Sequence, residues 1–218
     1  MTKFQELGLK EEILKGINDL GYEEAFPIQA AAIPVLLTGR DVVGQAHTGS
    51  GKTAAFALAM LQDIKPKNGV QGLIMAPTRE LAMQITEEIK KFSKYTKIRV
   101  ATVYGGQGMG IQLDALDRGV EIVVATPGRL LDHLRQRNVD FSKVKMFVLD
   151  EADRMSDMGF LPESDRDFSS KSIAFDVSTT EKISSAMQAR KRNLKKAFHV
   201  LLCCIFDVHK GFSPRRRR

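Results

Sequence analysis

A short glycine-containing segment has the residue types that bind phosphate. It reads Ala-His-Thr-Gly-Ser-Gly-Lys-Thr over residues 46–53, after an apolar run and before a helical pattern. Apart from its first residue it fits the pattern G-x-x-x-x-G-K-[ST]. Gly49 and Gly51 allow backbone N–H groups to surround an anion, and the helix that follows adds its partial positive end. Lys52 can reach the β- and γ-phosphates of a nucleotide, and the Thr53 hydroxyl can bind Mg²⁺.

An acidic cluster further along the chain supplies the carboxylates that such a loop requires. The apolar run at residues 145–149 leads into Asp150-Glu151-Ala152-Asp153. In a phosphate-loop nucleotidase, a carboxylate at the end of another strand holds the metal ion. Asp150 has that position, and Glu151 beside it can orient or deprotonate the attacking water. An acidic strand end alone is usually a solvated loop, but paired with the phosphate loop it predicts a site for nucleotide hydrolysis.

The elements that must position these residues alternate between strands and helices. Short apolar runs at 41–46, 72–76, 99–103, 121–125 and 145–150 predict buried strands. Helical patterns occupy 10–20, 27–37, 51–64, 79–94, 109–118 and 128–136. Strand–helix–strand alternation predicts an α/β fold with a mostly parallel sheet and helices on both faces.

Four further segments complete a family pattern. They are Gly21 to Gln29 (GYEEAFPIQ), Pro77 to Ala82 (PTRELA), Gly105-Gly106, and Thr126 to Arg129 (TPGR). With the phosphate loop and the Asp-Glu-Ala-Asp cluster, they resemble the motifs of the DEAD-box ATP-dependent RNA helicases, in family order, over residues 4–160. The family often has alanine at the first loop position, as here at Ala46. The resemblance implies a RecA-like nucleotide-binding domain at residues 1–160, with the adenine-recognising Q motif inside residues 1–38.

The resemblance also implies a role for each matching residue, with ATP, Mg²⁺ and RNA as ligands. Gln29 would read the adenine edge, and Phe4 would stack on the adenine ring. Lys52, Asp150 and Glu151 would be catalytic, and Thr53 and Asp150 would hold Mg²⁺. The remaining phosphate contacts would come from Thr48, Gly49, Ser50 and Gly51. The RNA backbone would lie along Thr78, Arg79, Gly105, Gly106, Thr126 and Arg129, so we expect binding that tolerates many RNA sequences.

One pair of residues departs from the family pattern. The family's Q motif carries Pro-Thr where this chain has Ala25-Phe26. Gln29 is retained, so the preference for adenine is expected to persist. Without the proline, we expect a less rigid loop.

Charge is distributed unevenly along the 218 residues. The net charge is +7, yet residues 1–160 hold 20 basic and 20 acidic side chains. The excess therefore lies after Phe160, where the recognisable motifs end and the last four residues are all arginine. The total charge thus gives no support for RNA binding by the helicase-like part of the chain.

The segment 161–218 is harder to interpret. In the family, a strand ending in Ser-Ala-Thr lies between the phosphate-loop strand and the Asp-Glu-Ala-Asp strand. Ser178-Thr179-Thr180 is near the expected distance, but Asp176 in the preceding run argues for a chance likeness because a buried, unpaired charge is costly. If residues 172–178 do not form this strand, the sheet lacks a central member. We hypothesise that residues after Phe160 are read out of frame, and a basic RNA-binding tail is the competing interpretation.

These observations lead to an expected function and two alternatives. The 58 residues after Phe160 are too few for the family's second RecA-like domain, so we expect ATP binding with weak hydrolysis and no unwinding. The first alternative is a non-enzymatic module that binds ATP or RNA, and the second is a phosphate-loop kinase. No apolar run is long enough for a membrane span, no apolar signal segment opens the chain, and Cys203-Cys204 suggests no disulfide framework. The expected location is cytoplasmic, and protein partners are not predicted.

Overall fold

The structure, a computed structural model, describes residues 2–47, 49–158 and 199–204. Within them, six parallel strands form one sheet in the order β1-β6-β5-β2-β4-β3. The strands are β1 (Val42–Gln45), β2 (Gly72–Met75), β3 (Val100–Val103), β4 (Ile122–Ala125), β5 (Met146–Asp150) and β6 (His199–Cys204). The helices are α1 (Glu11–Asp19), α2 (Pro27–Leu37), α3 (Lys52–Asp63), α4 (Arg79–Phe92), α5 (Met109–Asp117), α6 (Pro127–Arg135) and α7 (Ala152–Asp157), and a 3-10 helix precedes them at Phe4–Leu7.

The predicted α/β architecture is confirmed. Each of the five strands and six helices expected from the pattern is present, with ends that differ by no more than two residues. The strands form because their side chains are apolar on both faces, and β2, β4 and β5 are buried along their full length. Three of the described elements were not predicted: β6, the short 3-10 helix and α7. The two helices are too short to show a helical period.

Two apolar cores lie on opposite faces of the sheet. Successive residues of a strand point to opposite faces, so Val148 joins the core under α1 to α4 and Leu149 joins the core under α5, α6 and α7. Helix α3 is the most buried helix: nine of its 12 residues are buried. Its burial fixes the direction in which the phosphate loop leaves β1.

The centre of the sheet requires a correction. The sequence raised the possibility that the position between β1 and β5 is empty, but β6 occupies it. Leu201 of β6 is in register with Val42 of β1 and with Val148 of β5. The backbone groups on the facing edges of β1 and β5 therefore have hydrogen-bonding partners. The strand that supplies them belongs to the apolar, cysteine-containing run near the carboxyl terminus, and residues 172–180 lie outside the described residues.

In the part of the chain that the structure describes, no helix combines the length and the apolar character that crossing a bilayer requires.

A proline at the centre of β6 should destabilise the sheet. Leu201→Pro removes a backbone N–H from a strand that is paired on both sides, which we expect to reduce the free energy of unfolding by about 1–3 kcal/mol. Leu201→Ala retains the N–H, so the difference between the two variants isolates the backbone contribution. Urea denaturation followed by circular dichroism measures both. Equal stabilities of the two variants would contradict the pairing of β6.

Candidate functional site

The parallel sheet brings the phosphate loop and Asp150 to the same edge. β1 leads directly into the loop, and β5 ends at Asp150. Only β6 separates the two strands, and Cys203 is in register with both Gly44 and Asp150. Two strand spacings amount to roughly 10 Å. A nucleoside triphosphate is therefore long enough to contact both the loop and the Asp150 carboxylate.

The loop holds its lysine inside the fold. Gly51, at φ +85°, is the N-cap of α3, and Lys52 is the first residue of the helix. The Lys52 ammonium donates to the backbone oxygens of Ala46 (2.6 Å) and His47 (3.0 Å). An arriving phosphate would compete with these neutral carbonyls as a charged acceptor, which makes the stronger hydrogen bond.

Two buried polar atoms at this edge have no hydrogen-bond partner among the described residues. They are Oγ of Ser50 in the loop and Oδ1 of Asp150 at the end of β5. Buried polar groups in folded proteins are nearly always hydrogen-bonded, and an orphan atom requires an explanation. A bound phosphate and a cation would supply the two missing partners. Thr48, predicted to contact phosphate, lies outside the described residues.

The Asp150 carboxyl is destabilised as an anion. Burial, and then the neighbouring charge of Glu151, raise its pKa to about 7, although the Lys52 ammonium opposes the shift. The side chain of Glu151 pairs with Arg154 at 3.4 Å, and its backbone has φ +52°. A non-glycine residue in this left-handed region carries strain of the kind that occurs at functional sites.

Gln29 connects the Q-motif segment to the phosphate loop. Its side chain is buried, and its Nε2 donates to the backbone oxygen of Gly51 at 3.1 Å. Its Oε1 accepts from the backbone N–H of Phe26 at 2.9 Å, at the start of α2. Each amide atom retains capacity for one more hydrogen bond, so the side chain can bind the loop and a nucleobase edge together.

Phe4 is not part of the cavity. Its ring is 1% exposed and stacks on Tyr22 at 6.5 Å between ring centroids. Tyr22, in contrast, lines the cavity. Phe4 packs into the apolar core, so its neighbour Tyr22, and not Phe4 itself, presents an aromatic ring to the cavity.

Several residues that line the cavity were not predicted from the sequence to be site residues. The cavity has a volume of about 330 Å³ and joins the loop, Gln29, Asp150 and Glu151 to Tyr22, Phe26, Ala54, Leu81, Gln84 and Glu88. Leu81, Gln84 and Glu88 lie on one face of α4, a spacing that could have identified them. The Glu88 carboxylate hydrogen-bonds to the Thr53 side chain, and burial raises the pKa of Glu88. Glu88 thus orients a hydroxyl predicted to bind Mg²⁺.

The predicted RNA residues form a second group along the same edge of the sheet, where β2, β4 and β3 end. Thr78 is the N-cap of α4, and its Oγ1 accepts from the backbone N–H of Leu81 at 3.3 Å. The exposed Arg79 guanidinium lies 4.8 Å from the centroid of the Tyr104 ring. Thr126 is the N-cap of α6 and makes no such cap bond with its side chain. The structure therefore brings the nucleotide group and the RNA group to adjacent halves of one edge.

A buried polar network ties Gly105-Gly106 to the start of α6. Arg129 donates to the backbone oxygen of Gln107 at 2.8 Å, and Gln112 donates to that of Tyr104 at 2.8 Å. The Gln112 Oε1 faces Nε2 of the buried His133 at 3.0 Å. Burial, and then the Arg129 charge, lower the pKa of His133, which favours the neutral ring.

Comparison with known proteins shows which family has this arrangement. The family model described as DEAD/DEAH box helicase matches residues 26–188. The matched range extends past Phe160, the point at which the recognisable motifs end. The chain is 55% identical over 164 residues to ATP-dependent RNA helicase DeaD of Escherichia coli, and 52% identical over 164 residues to ATP-dependent RNA helicase CshA of Listeria monocytogenes. These matches cover 74% and 75% of this chain but only 26% and 32% of those proteins.

Solved structures share the fold. A DEAD box protein from Methanococcus jannaschii superposes with a TM-score of 0.77 at 37% identity, over 94% of this chain and 50% of that chain. The RNA helicase Prp28 from Chaetomium thermophilum, bound to ADP, superposes with a TM-score of 0.71 at 36% identity, over 94% of this chain and 45% of that one.

The buried Asp150 makes a prediction about pH. Its pKa is higher in the folded chain than the ordinary value of 3.8, so folding takes up a proton between about pH 4 and about pH 7, and stability falls as pH rises through this range. Asp150→Asn cannot ionise. Its stability advantage over the wild type should therefore grow as pH rises and reach at most roughly 4 kcal/mol above pH 7.

Urea denaturation from about pH 5 to about pH 8, with a chelator to remove divalent cations, measures this difference. Asp63→Asn is the matched control, since Asp63 is an exposed aspartate paired with Lys145. A difference between wild type and Asp150→Asn that does not change with pH would contradict the raised pKa.

Proposed function

The chain belongs to the DEAD/DEAH box helicase family, and from that premise we propose that it is the ATP-binding RecA-like part of an ATP-dependent RNA helicase. It spans about a quarter to a third of the length of the curated relatives that it matches. The single observation that carries the proposal is that one cavity is lined by both Lys52 and Asp150, whose Oδ1 is buried without a hydrogen-bond partner among the described residues. Residues 1–160 form the helicase-like unit in this proposal, and residues 161–218 contribute at least β6 to its sheet.

The triphosphate would bind at the loop. Lys52 and the N–H groups at the start of α3 would hold its phosphates, with Gly49, Ser50 and Gly51 close to them. Gln29, which is hydrogen-bonded to the loop at Gly51, would face the adenine edge. The ADP bound to the relative Prp28 supports a nucleotide at this fold.

The residues around Asp150 fit a magnesium ion. Mg²⁺ prefers oxygen ligands, and Asp150 has an unpaired buried oxygen within the same cavity as the Thr53 hydroxyl. Thr53 and Asp150 would hold the ion, with Glu88 orienting the hydroxyl. When bound, Mg²⁺ would neutralise charge that develops on the phosphates.

Glu151 would position the water that attacks the γ-phosphorus. It follows Asp150 directly and lines the cavity. Its partner Arg154 and its left-handed backbone hold the carboxylate in a defined place. The reaction breaks the bond between the β- and γ-phosphates and releases ADP and phosphate.

Single-stranded RNA would bind along the second group of residues. Among the described residues, and apart from the chain neighbours, an ideal Cβ at Gly105 or Gly128 would meet no atom within 4 Å, so packing within this part of the chain does not require glycine there. Close approach of a sugar–phosphate backbone does explain the missing side chains. Arg79 and Arg129 would contact phosphates, which positions RNA without reading its sequence.

We propose that the protein acts in the cytoplasm.

The 218-residue chain by itself should bind ATP and hydrolyse it slowly. Lys52 is the one cation among the described residues that line the cavity. In related nucleotidases an arginine that stabilises the transition state contributes about 10³–10⁵ in rate. We therefore expect no duplex unwinding by this chain alone.

Three variants test the proposal through ATP affinity and phosphate release. Lys52→Gln should weaken ATP binding by about 10- to 100-fold, because a hydrogen bond to a charged group is lost. Lys90→Gln, a change on the exposed face of α4, should leave binding unchanged. Glu151→Gln should bind ATP as the wild type does but lose the residual hydrolysis. Titration with a fluorescent ATP analogue and a phosphate-release assay, each with and without single-stranded RNA, measure these effects.

The outcomes separate the proposal from its alternatives. ATP affinity that depends on Lys52 without any phosphate release would indicate a non-enzymatic binding module. RNA-stimulated turnover equal to that of a full-length helicase would contradict the expected weak activity. ATP affinity that does not respond to Lys52→Gln would overturn the proposed site.

A further inference from the structure

Phe26 is an aromatic side chain exposed at the wall of the cavity. Its side chain is 53% exposed, and it lines the cavity together with Gln29, Lys52 and Asp150. It also occupies the position where the family's Q motif carries threonine. The fold does not need an aromatic ring there, because the ring contributes little to the apolar core.

The backbone holds Phe26 firmly in place. Its N–H donates to Oε1 of Gln29, and its carbonyl accepts from the N–H groups of Gln29 and Ala30 in the first turn of α2. The ring lies against the phosphate loop, since an ideal Cβ at Gly51 would be 2.9 Å from Cδ2 of Phe26. The ring therefore lies beside Gln29, and both side chains contact the phosphate loop at Gly51.

Phenylalanine at this position cannot make the side-chain hydrogen bond that caps a helix N-terminus. Phe26 is the residue before the first turn of α2, where threonine or serine would accept a hydrogen bond from the helix N-terminus. Phenylalanine has no acceptor. A role for the ring outside the helix would account for its presence.

The other aromatic rings of this region are already engaged. Phe4 is buried, and Tyr22 stacks on Phe4 at 6.5 Å and contacts Phe92 at 6.3 Å. Phe26 stacks on no other ring among the described residues. It is therefore the aromatic face best placed for a ligand in the cavity.

We propose that Phe26 stacks on the nucleobase of the bound nucleoside triphosphate. This inference rests on the proposed function, which places the base beside Gln29. Every nucleobase has a π-face, so stacking strengthens binding of ATP and GTP alike. It does not strengthen binding of a polyphosphate that lacks a base. Phe26 thus adds base affinity that the family's threonine does not provide.

Phe26→Thr is the decisive variant, because threonine restores the helix cap and does not threaten folding. We expect it to weaken ATP and GTP binding by about 5- to 100-fold, the range for loss of one base–aromatic stack. Affinity for inorganic tripolyphosphate should stay within about twofold. Phe26→Tyr, which keeps a ring, should bind ATP as the wild type does. Tyr95→Ala, which removes an exposed aromatic outside the cavity, is the matched control.

Calorimetric titration of the full 218-residue chain with each ligand and Mg²⁺ gives the dissociation constants. If Phe26→Thr leaves ATP affinity unchanged or increases it, Phe26 does not stack on the base. If it weakens ATP and tripolyphosphate equally, its effect operates through the loop, and the inference also fails. If the wild-type chain binds ATP no more tightly than tripolyphosphate, the phosphate site stands and the base site does not. Failure of the wild type to bind any of the ligands would overturn the proposed function itself.

Discussion

The parallel arrangement of the six strands is the constraint on which the site depends. All strands end at one edge, and the pairing of β6 with both β1 and β5 fixes the separation between the phosphate loop and Asp150. If β6 were absent, those two strands would either expose unpaired backbone or close on each other. The cavity between loop and carboxylate would then change in width. The proposed nucleotide site therefore depends on a strand that lies far along the chain from both the phosphate loop and Asp150.

Several polar groups at the same edge lack favourable hydrogen-bonding or charged partners within the described part of the chain, and a bound ligand would supply them. Lys52 binds neutral carbonyls, and Ser50 and Asp150 each have a buried oxygen without a partner among the described residues. Burial raises the pKa of Asp150, and Glu151 holds a strained backbone. Each of these features lowers the stability of the ligand-free chain. In the proposed complex, a triphosphate with a cation would satisfy the loop and Asp150 together, so binding and folding would be coupled.

The sequence predicts the sheet better than it predicts the cavity. Apolar runs such as 146–149 identify strands because a strand covered on both faces contains little else. β6 was not predicted as a central strand because its segment follows a change in composition and matches no motif. The burial of Phe4 and the approach of Glu88 to Thr53 depend on how helices pack across the sheet, which residue spacing along one helix does not determine. Phe26 was visible as a departure from the family, but only its exposure in the cavity indicates a use.

Hydrogen–deuterium exchange of the chain with and without Mg²⁺ and a non-hydrolysable ATP analogue tests the central claim most directly. Ligand bound at the β1–β6–β5 half of the edge should slow exchange in segments 26–30, 49–54 and 199–204, and leave β3 at the far side of the sheet unchanged. Protection of the phosphate loop without any change in β6 would contradict the account, because it would show that the loop binds nucleotide independently of the strand beside it.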